Sequence, residues 1–322
     1  MSTPPERPLP PPVLERIAAG SFLLVDKPRG PSSHQVTAWV RDLLGVERAG
    51  HAGTLDPNVS GLLWVGVGPA LKLLPLVLEF PKRYVGVIVF HGPVEPQELD
   101  KVITEFTAPI FQTPPLRSAV KRERRVRTIH RLQVVERDRD RMILDIVADS
   151  GTYVRTLAVD LGDALGVGAH LAELRRVGTG PFREEESASV AAVADAVVHA
   201  RAGQPEALIA LLHPAHEVWK EFPQVVLKDA AASAIVHGAG LAAGGISSVS
   251  RPFAPGAAVA LVGRGGELLA IGEALFDSRE VAQHREGWVI RPSRVLADAA
   301  LYPPKWQAPP ERPATGAGAG EG

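Results

Sequence analysis

The sequence predicts an α+β fold divided into two domains, with a loose tail at each end. Its length of 322 residues exceeds the ~250–300 residues at which a single hydrophobic core usually stops growing. Residues 20–216 mix helical and strand patterns, whereas residues 222–301 consist mostly of short strand patterns. The hydrophobic fraction of 45% is ordinary for a globular protein and excludes wholesale disorder.

The two ends have compositions that do not support a packed core. Six prolines lie within the first twelve residues, so residues 1–19 are interpreted as a proline-rich tail. Residues 307–322 are interpreted as a disordered tail, because their run of glycine, alanine and proline has nothing to bury. The chain between them then forms a larger domain over 20–216 and a smaller one over 222–301.

The first strong element is a helix over residues 32–44. Its apolar residues recur with the 3.6-residue period of an amphipathic helix. They are Val36, Trp39, Val40, Leu43 and Leu44. Ser32 and Gln35 have the spacing of a capping box, and Gly45 suits the position just after the last turn.

Residues 61–80 are almost entirely apolar over about the length of a bilayer span. Glycines, prolines and Lys72 interrupt this stretch, so a strand over 62–67, a turn and a short core helix over 70–78 explain it better. The N-terminus lacks the apolar region of a signal peptide. We therefore expect a soluble, cytoplasmic protein.

The later elements are predicted in the same way. Segments 84–90 and 142–148 are rich in valine and isoleucine and indicate strands. The second leads into the polar segment 149–152 and a helix with one leucine-lined face. The smaller domain is predicted to hold a short helix and three strands, with a hairpin connection at 263–266. These elements lie at residues 229–237, 257–262, 268–275 and 288–291.

Several kinds of chemistry are excluded. The chain has no cysteine, which rules out disulfides, zinc–cysteine sites, iron–sulfur clusters and thiol nucleophiles. It also lacks the glycine-rich loop motif that binds nucleotide phosphates and the Gly-x-Ser-x-Gly motif of serine hydrolases. Any catalysis must therefore use other side chains.

Residues 49–57 (AGHAGTLDP) form the first candidate site. Two glycines, His51 and Asp56 lie between an amphipathic helix and an apolar strand, and Pro57 biases Asp56 away from helical geometry. An aspartate on such a loop can be a nucleophile or a base. Composition alone favours the alternative of a turn in which Asp56 caps nearby N–H groups.

Residues 149–155 (DSGTYVR) form the second candidate site, where a strand leads into a helix. Arg155 lies in the first helical turn, where a positive charge is unfavourable with the helix dipole. A carboxylate or phosphate partner would explain this placement, and a solvent-exposed arginine is the alternative.

The third feature is a basic run from Arg117 to Arg131. It contains seven lysine or arginine residues and one glutamate, a net +6 in a chain whose net charge is −1. Charge runs are usually solvated faces, but the preceding Gln-Thr-Pro-Pro segment and His130 favour a segment that follows nucleic-acid phosphates. The candidate contacts are Arg117, Lys121, Arg122, Arg124, Arg125 and Arg127.

These motifs together resemble the TruB/dyskerin family of RNA pseudouridine synthases. The blocks 22–34 (FLLVDKPRGPSSH), 49–57 and 149–155, followed by the leucine and arginines at 174–176, occur in the family's order. The resemblance covers about residues 20–301, and the smaller domain resembles the RNA-binding PUA domain. Segments 114–122 (PPLRSAVKR) and 302–306 (YPPKW) are similar to the archaeal/dyskerin branch.

The resemblance implies a fold and a set of roles. The larger domain would contain a mixed or antiparallel central sheet with flanking helices, and the PUA domain would be a small pseudo-barrel. The catalytic residues would be Asp56, which attacks or assists at the ribose of the target uridine, Tyr84, which stacks on the uracil, and Arg155, which pairs with Asp56. The substrate-binding residues would be His51, Lys82, Tyr153 and Leu174. No cofactor and no metal are implied.

The expected function is uridine isomerisation, directed by a box H/ACA guide RNA on rRNA and extended to the T-arm uridine of tRNA. Expected partners are guide RNA, rRNA, tRNA and the protein subunits of the box H/ACA particle, with no membrane and no small-molecule cofactor. Two alternatives stay open. One is a stand-alone tRNA pseudouridine synthase, and the other is a non-catalytic RNA-binding protein with a PUA domain.

Overall fold

The computed structural model describes residues 7–113, 123–284 and 286–302. The chain divides into one unit that ends at Trp219 and a second that begins at Lys220. Each unit has its own hydrophobic core and its own sheet. The predicted α+β class is confirmed.

The helices of the first unit flank its sheet, and strands separate all of them along the chain except α6 and α7. They are α1 (Pro11–Ala19), α2 (Ser33–Leu44), α3 (Leu74–Glu79), α4 (Pro96–Phe106), α5 (Val154–Ala164), α6 (Val190–Arg201), α7 (Glu206–Leu211) and α8 (Ala215–Lys220). The strands are β1 (Ser21–Lys27), β2 (Ala49–Ala52), β3 (Ser60–Val67), β4 (Lys82–Phe90), β5 (Pro109–Gln112), β6 (Arg125–Asp138), β7 (Arg141–Ala148), β8 (Ala169–Thr179), β9 (Phe182–Arg183), β10 (Ala188–Ser189) and β11 (His213–Pro214).

Among the described residues these eleven strands form one mixed sheet in the order β10-β1-β3-β8-β4-β7-β6-β5, with β2 beside β3, β9 beside β8 and β11 beside β1. Most pairs are antiparallel, but β1 runs parallel to β10 and β3 runs parallel to β8. The contact between β3 and β8 is short, at Ser60↔Arg175 and Gly61↔Arg176. It brings the segment before β3 next to β8 and β4.

Two apolar clusters support this sheet. The first packs α1, α2, α6 and α7 against β1 and β3. The second packs α4 and α5 against β4, β6 and β7, with Leu157 and Leu161 fully buried. The helix and strand patterns read from the sequence are therefore explained by burial of one face of each element.

The structure corrects the prediction that residues 1–19 are a loose tail. Residues 11–19 form α1, and Leu9, Val13 and Ile17 are buried in the first cluster. Pro11 and Pro12 occupy the first helical positions, where the missing N–H has no intrahelical partner to lose. The first six residues and the tail 307–322 lie outside the described residues.

Smaller differences also have local causes. The predicted helix over 70–78 is a 3₁₀ turn, Gly68–Leu73, followed by α3. Pro75 lies in the first turn of α3, where a ring without an N–H is tolerated. The helix predicted over 32–44 is present as α2, with the Ser32–Gln35 capping box and Gly45 in the left-handed region at φ 64°.

The second unit is a small five-stranded sheet with one helix. Its elements are β12 (Gln224–Leu227), α9 (Asp229–Val236), β13 (Ile246–Val249), β14 (Ala258–Val262), β15 (Leu268–Ala274) and β16 (Ile290–Val295). The strand order is β13-β12-β14-β15-β16, with β12 and β14 parallel. The last strand was predicted at 288–291 but runs over Ile290–Val295, since its pairing with β15 begins at Ala274↔Ile290. Trp288 lies before the paired residues and is 57% exposed.

Across the described part of the chain, every helix is too short or too polar to span a bilayer. The apolar stretch 61–80 instead supplies β3, the 3₁₀ turn and α3. Most of its apolar residues are buried within the first unit, which explains their hydrophobicity, while Leu78 is 42% exposed.

Candidate active site

The loop that carries Asp56 joins β2 to β3. The two strands pair antiparallel, with His51 opposite Val65. Ser33, at the start of α2, is 1% exposed. Its Oγ donates to the Leu55 carbonyl and accepts from the Leu55 N–H, both at 2.9 Å. These bonds fix the residue before Asp56, while the Asp56 side chain stays 55% exposed.

Two glycines allow Arg176 to pass beneath this loop. Gly53 has φ +67°, and a Cβ there would lie 3.0 Å from Arg176 Nη1. Gly61 has φ +102°, and a Cβ there would lie 2.2 Å from the Arg176 carbonyl oxygen. A side chain at Gly61 would therefore collide with backbone that has no room to move.

Asp56 forms an ion pair with Arg155, although the two are 99 residues apart in the chain. Arg155 is the second residue of α5, whose N-cap is Tyr153. The carboxylate compensates for the unfavourable position of the arginine at the positive end of a helix. The partner that the sequence required for Arg155 is thus present, while the catalytic role of both residues stays a prediction.

Tyr84 and Arg176 are cross-strand partners on β4 and β8. The Tyr84 phenol hydrogen-bonds the Arg176 guanidinium, whose pKa is lowered by burial. Arg176 is 1% exposed and donates from Nε to the Leu62 carbonyl at 2.7 Å. Within the described residues its Nη2 has no hydrogen-bond partner. A fully buried cation thus holds the tyrosine that is predicted to stack on the substrate base.

His51 lies on β2, just before the loop that carries Asp56, and is half-buried. Its Nδ1 is 3.0 Å from Thr37 Oγ1, which itself donates to the Ser33 carbonyl, so Nδ1 is the nitrogen that carries the proton. Its Nε2 is 3.3 Å from Thr54 Oγ1. Burial, with contributions from His34 and Arg176, lowers the pKa of His51. The residue predicted to extrude the nucleotide is therefore uncharged near neutral pH.

Lys82 does not lie on the surface where its predicted contact with the substrate would place it. It is 3% exposed, and its Nζ donates to the carbonyls of Val77, Leu78 and Phe80 at 2.9, 3.0 and 2.6 Å. It also donates to Ser150 Oγ at 3.2 Å. Burial lowers the pKa of Lys82 to about 7. This side chain supports the 149–152 segment from within, which is at odds with direct substrate contact.

The two residues predicted to line the pocket lie close to this group. Tyr153 is the half-buried N-cap residue of α5. Leu174 lies on β8 opposite Gly86 and packs against the same cluster as Tyr84. Their roles in substrate binding stay predictions.

The described part of the basic run, residues 123–131, leads into β6, which pairs antiparallel with β5. Arg124 stacks over Phe111, with its Cζ 4.3 Å from the ring centroid, and Phe111 is 62% exposed. Arg125 begins β6, and Arg127 lies against Gly151. The other three predicted contacts, Arg117, Lys121 and Arg122, lie outside the described residues.

Two residues of this site were not found from the sequence. Ser33 belongs to the block 22–34, so its place in that motif was a usable signal. Gln112 is 3% exposed and bonds the Tyr153 backbone. It begins the Gln-Thr-Pro-Pro segment before the basic run, but nothing in that segment indicated a contact with Tyr153. Within the described ranges no three His, Cys, Asp or Glu residues come together as metal ligands.

Comparison with known proteins places this arrangement in a family. The model for the TruB family pseudouridylate synthase N-terminal domain matches residues 41–94, and that for the tRNA pseudouridylate synthase B C-terminal domain matches residues 155–219. A probable tRNA pseudouridine synthase B from Pyrobaculum arsenaticum is 44% identical over 288 residues, covering 89% of this chain and 87% of the relative. This chain belongs to the TruB family of pseudouridine synthases.

Other similar proteins agree with the TruB assignment. A probable tRNA pseudouridine synthase B from Methanothermobacter thermautotrophicus is 43% identical over 284 residues, covering 88% of each chain. A PUA domain model matches residues 223–296, within the second unit, and a model for the C-terminal part of Pus10 matches residues 78–166. The TruB-type enzyme therefore carries a PUA domain after its catalytic unit.

Solved structures resemble the TruB-family chain over nearly its whole length. A chain in the crystal structure of a Cbf5-Nop10-Gar1 complex has a TM-score of 0.81 and 36% identity, covering 94% of this chain and 93% of its own. A chain in the structure of an H/ACA RNP bound to a substrate RNA containing 2′-deoxyuridine has a TM-score of 0.77 and 34% identity, with 95% and 94% covered. The protein is a pseudouridine synthase of the TruB/Cbf5 type.

Proposed function

We propose that this pseudouridine synthase isomerises specific uridines under the direction of a box H/ACA guide RNA, with Asp56 as the reacting carboxylate. The observation that carries the proposal is the Asp56–Arg155 ion pair. Tyr84 lies on β4 opposite Arg176 of β8, and Arg176 passes beneath the loop that carries Asp56. The ion pair occurs in a chain that resembles, at 36% identity, a chain of the Cbf5-Nop10-Gar1 complex.

In the proposed reaction the bond between ribose C1′ and uracil N1 breaks and a bond between C1′ and C5 forms. Asp56 attacks or assists at C1′ while the uracil detaches, rotates and rejoins through C5. The proton on C5 leaves to solvent and N1 takes up a proton, so the atoms balance without a cofactor. Carboxylates act on sugar carbons in the same way in retaining glycosidases. Here water must be excluded during the reaction, because hydrolysis would release the base.

Each neighbouring side chain has a part in this proposal. Arg155 holds the Asp56 carboxylate ionised and aimed at the substrate. Tyr84 stacks on the uracil, a contact that contributes roughly 1–3 kcal/mol. Neutral His51 assists the extruded nucleotide, whose flipping costs a few kcal/mol. Leu174 and Tyr153 line the pocket beside them.

The proposed partners follow from the solved relatives. The structures that match this chain contain Nop10, Gar1 or a substrate RNA. We propose that this protein assembles with a small zinc-ribbon-like subunit, a Gar1-type subunit, a kink-turn-binding protein and a guide RNA. The basic residues Arg124, Arg125 and Arg127 would contact phosphates, and the PUA domain would hold RNA.

The test is isomerisation by an Asp56→Asn variant. Tritium released from RNA labelled at uridine C5 measures the reaction, in the presence of guide RNA and partner proteins. We expect Asp56→Asn to lose activity by at least about 1,000-fold, because an amide cannot replace the carboxylate, while RNA binding persists. Asp42→Asn, an exposed aspartate of α2 paired with Arg41, should keep wild-type activity. Full activity of Asp56→Asn would overturn the assignment of the nucleophile.

The second candidate function is guide-independent modification of tRNA. The curated relatives with 40% identity or more are named probable tRNA pseudouridine synthase B. Assays of transfer RNA with and without guide RNA separate the two, and both activities can coexist. RNA binding without isomerisation under every combination of partners would instead favour a non-catalytic RNA-binding protein.

A further inference from the structure

Gln112, the last residue of β5, makes two hydrogen bonds with the backbone of Tyr153. Its Nε2 donates to the Tyr153 carbonyl at 3.2 Å, and its Oε1 accepts from the Tyr153 N–H at 2.9 Å. The side chain is almost completely buried, at 3% exposure. A side-chain amide thus pairs with one residue as a neighbouring β-strand would, so it fixes the position and orientation of that peptide.

The residue held in this way determines where α5 begins. Tyr153 is the N-cap of α5, and its own side chain makes no capping hydrogen bond to the first turn. Arg155 follows two residues later and forms the ion pair with Asp56. A displacement of Tyr153 therefore displaces the guanidinium that aims the proposed nucleophile.

The same hairpin holds the other end of the segment that precedes α5. Asp149 accepts from the Thr128 N–H at 2.8 Å and donates its own N–H to the Thr128 carbonyl at 3.0 Å. His130 Nε2 lies 2.8 Å from the second Asp149 oxygen. Thr128 and His130 both belong to β6, so the β5–β6 hairpin contacts this segment at its first and last residues.

Exposed arginines lie at the same end of this hairpin as Gln112. Phe111, next to Gln112, is exposed beneath Arg124, and Arg125 pairs with Gln112 across the two strands. Gln112 on β5 and Thr128 on β6 hold the segment leading to Arg155, and Arg125 on β6 lies directly across from Gln112. A contact between Arg125 and a phosphate would therefore act on the strand pair that positions Tyr153.

We propose that Gln112 is a positioning residue that couples the basic β5–β6 hairpin to the Asp56–Arg155 pair. This inference depends on the proposed function, because the pair matters only if Asp56 acts on RNA. It assigns Gln112 no contact with the substrate. Its effect is on the alignment of Arg155 once RNA is held by the hairpin.

The test is Gln112→Met, which keeps the length of the side chain and removes both hydrogen bonds. We expect the single-turnover rate of tritium release to fall roughly 10–100-fold, since a shift of about 1 Å in a reacting group can cost this much. The dissociation constant for RNA should change by less than about twofold. Gln133→Met, an exposed residue of β6, is the matched control and should change neither value.

A second measurement separates positioning from a loss of stability. If Gln112 acts through Arg155, adding Gln112→Met to Arg155→Lys should reduce the rate by less than about twofold beyond the single Arg155→Lys variant. Gln112→Glu keeps the bond from the Tyr153 N–H and should have an intermediate rate. If Gln112→Met does not fold, the rate of Gln112→Glu tests the proposal in its place. Wild-type rates for both variants, or additive losses with Arg155→Lys, would overturn the proposal.

A third readout does not depend on catalysis. Amide exchange of the peptide that contains Tyr153 should slow when RNA binds to the wild-type protein and should not slow in Gln112→Met. If the wild-type protein isomerises no RNA but still shows this difference, the proposed function fails and the coupling stands. If the exchange rates of wild type and variant respond alike to RNA, the coupling is wrong even when the enzyme is active.

Discussion

At the scale of single residues, the site contains buried cations that carbonyl groups and hydroxyls stabilise. Lys27 is 0% exposed and donates to the carbonyls of Pro28 and Pro31 at 2.8 Å and of Pro57 at 3.3 Å. Lys82 is surrounded in the same way, and Arg176 donates to Leu62. Burial lowers the pKa of all three. Lys27 and Arg176 thereby hold the backbone on either side of the Asp56 loop, and Lys82 holds residues 77–80 and Ser150.

Lys82 makes the stability of the protein depend on pH. Its pKa of about 7 in the folded state lies below the usual 10.5, so the unfolded chain binds the extra proton between these two values. The free energy of unfolding of wild type, relative to Lys82→Met, should therefore rise from about pH 7 to about pH 10, by up to about 1.4 kcal/mol per pH unit. Below about pH 7 the difference should be constant.

Denaturant unfolding of both proteins over this pH range measures the difference. Lys101→Met, at an exposed lysine of α4 paired with Glu98, is the control and should give no such rise. A constant difference between wild type and Lys82→Met would contradict the prediction. It would mean that the surrounding carbonyls keep the Lys82 ammonium charged.

At the scale of elements, several boundaries followed from local chemistry and one did not. The capping box and Gly45 placed α2 to within one residue. The proline-rich composition of residues 1–19, by contrast, led to the wrong prediction where α1 forms. Prolines are common both at the first positions of a helix and in disordered tails, so composition does not distinguish the two. What distinguishes the two is the burial of Val13 and Ile17, and the surface that buries them is formed by residues far along the chain.

Substitutions in α1 test its docking to the core. Ile17→Ala should lower the free energy of unfolding by about 2–5 kcal/mol, because Ile17 is 8% exposed and its removal leaves a cavity. Leu14→Ala lies on the same helix at 48% exposure and should cost less than about 1 kcal/mol. Equal, small effects of the two variants in denaturant unfolding would show that α1 is not part of the folded core.

At the scale of the whole molecule, two units with separate cores share one chain. The second unit buries fifteen residues, all apolar, in its own cluster, which includes residues of its strands and of α9. Its sheet of five strands among the described residues is complete without β-strands from the first unit. Such a unit of about 100 residues is large enough to fold alone. The near-zero net charge of the chain also averages a strongly basic segment with an acidic remainder.

The fragment 220–322 tests the independence of the second unit. Expressed alone, it should unfold in one cooperative thermal transition followed by circular dichroism. Leu261→Ala, at a residue 0% exposed, should destabilise the fragment by about 2–5 kcal/mol. Leu301→Ala, at 75% exposure, is the control and should leave the transition nearly unchanged. A fragment without a cooperative transition would contradict the prediction.

The candidate site was predictable where its signal was local. Asp56 and Arg155 were singled out because each lies in a motif of contiguous residues, and the helix dipole indicated that Arg155 needs an anionic partner. Tyr84 was named only because the family resemblance implied it. The substrate-binding role of Lys82 stays a prediction, and its position two residues before Tyr84 does not reveal that its ammonium is buried against backbone carbonyls. Gln112 was missed because its partner is 41 residues away and a lone glutamine has no pattern.

The sequence by itself determined the periodic elements, the TruB motifs in their order and the concentration of charge in one segment. These are properties of residues adjacent in the chain, so they can be read without knowing the packing. The family resemblance implied the Asp56–Arg155 pair, and the tertiary structure contains it. Only the tertiary structure decided that Lys82 and Arg176 are buried and that Gln112 holds Tyr153. Such contacts join residues brought together by strand pairing across the sheet, and their burial depends on every element that covers them.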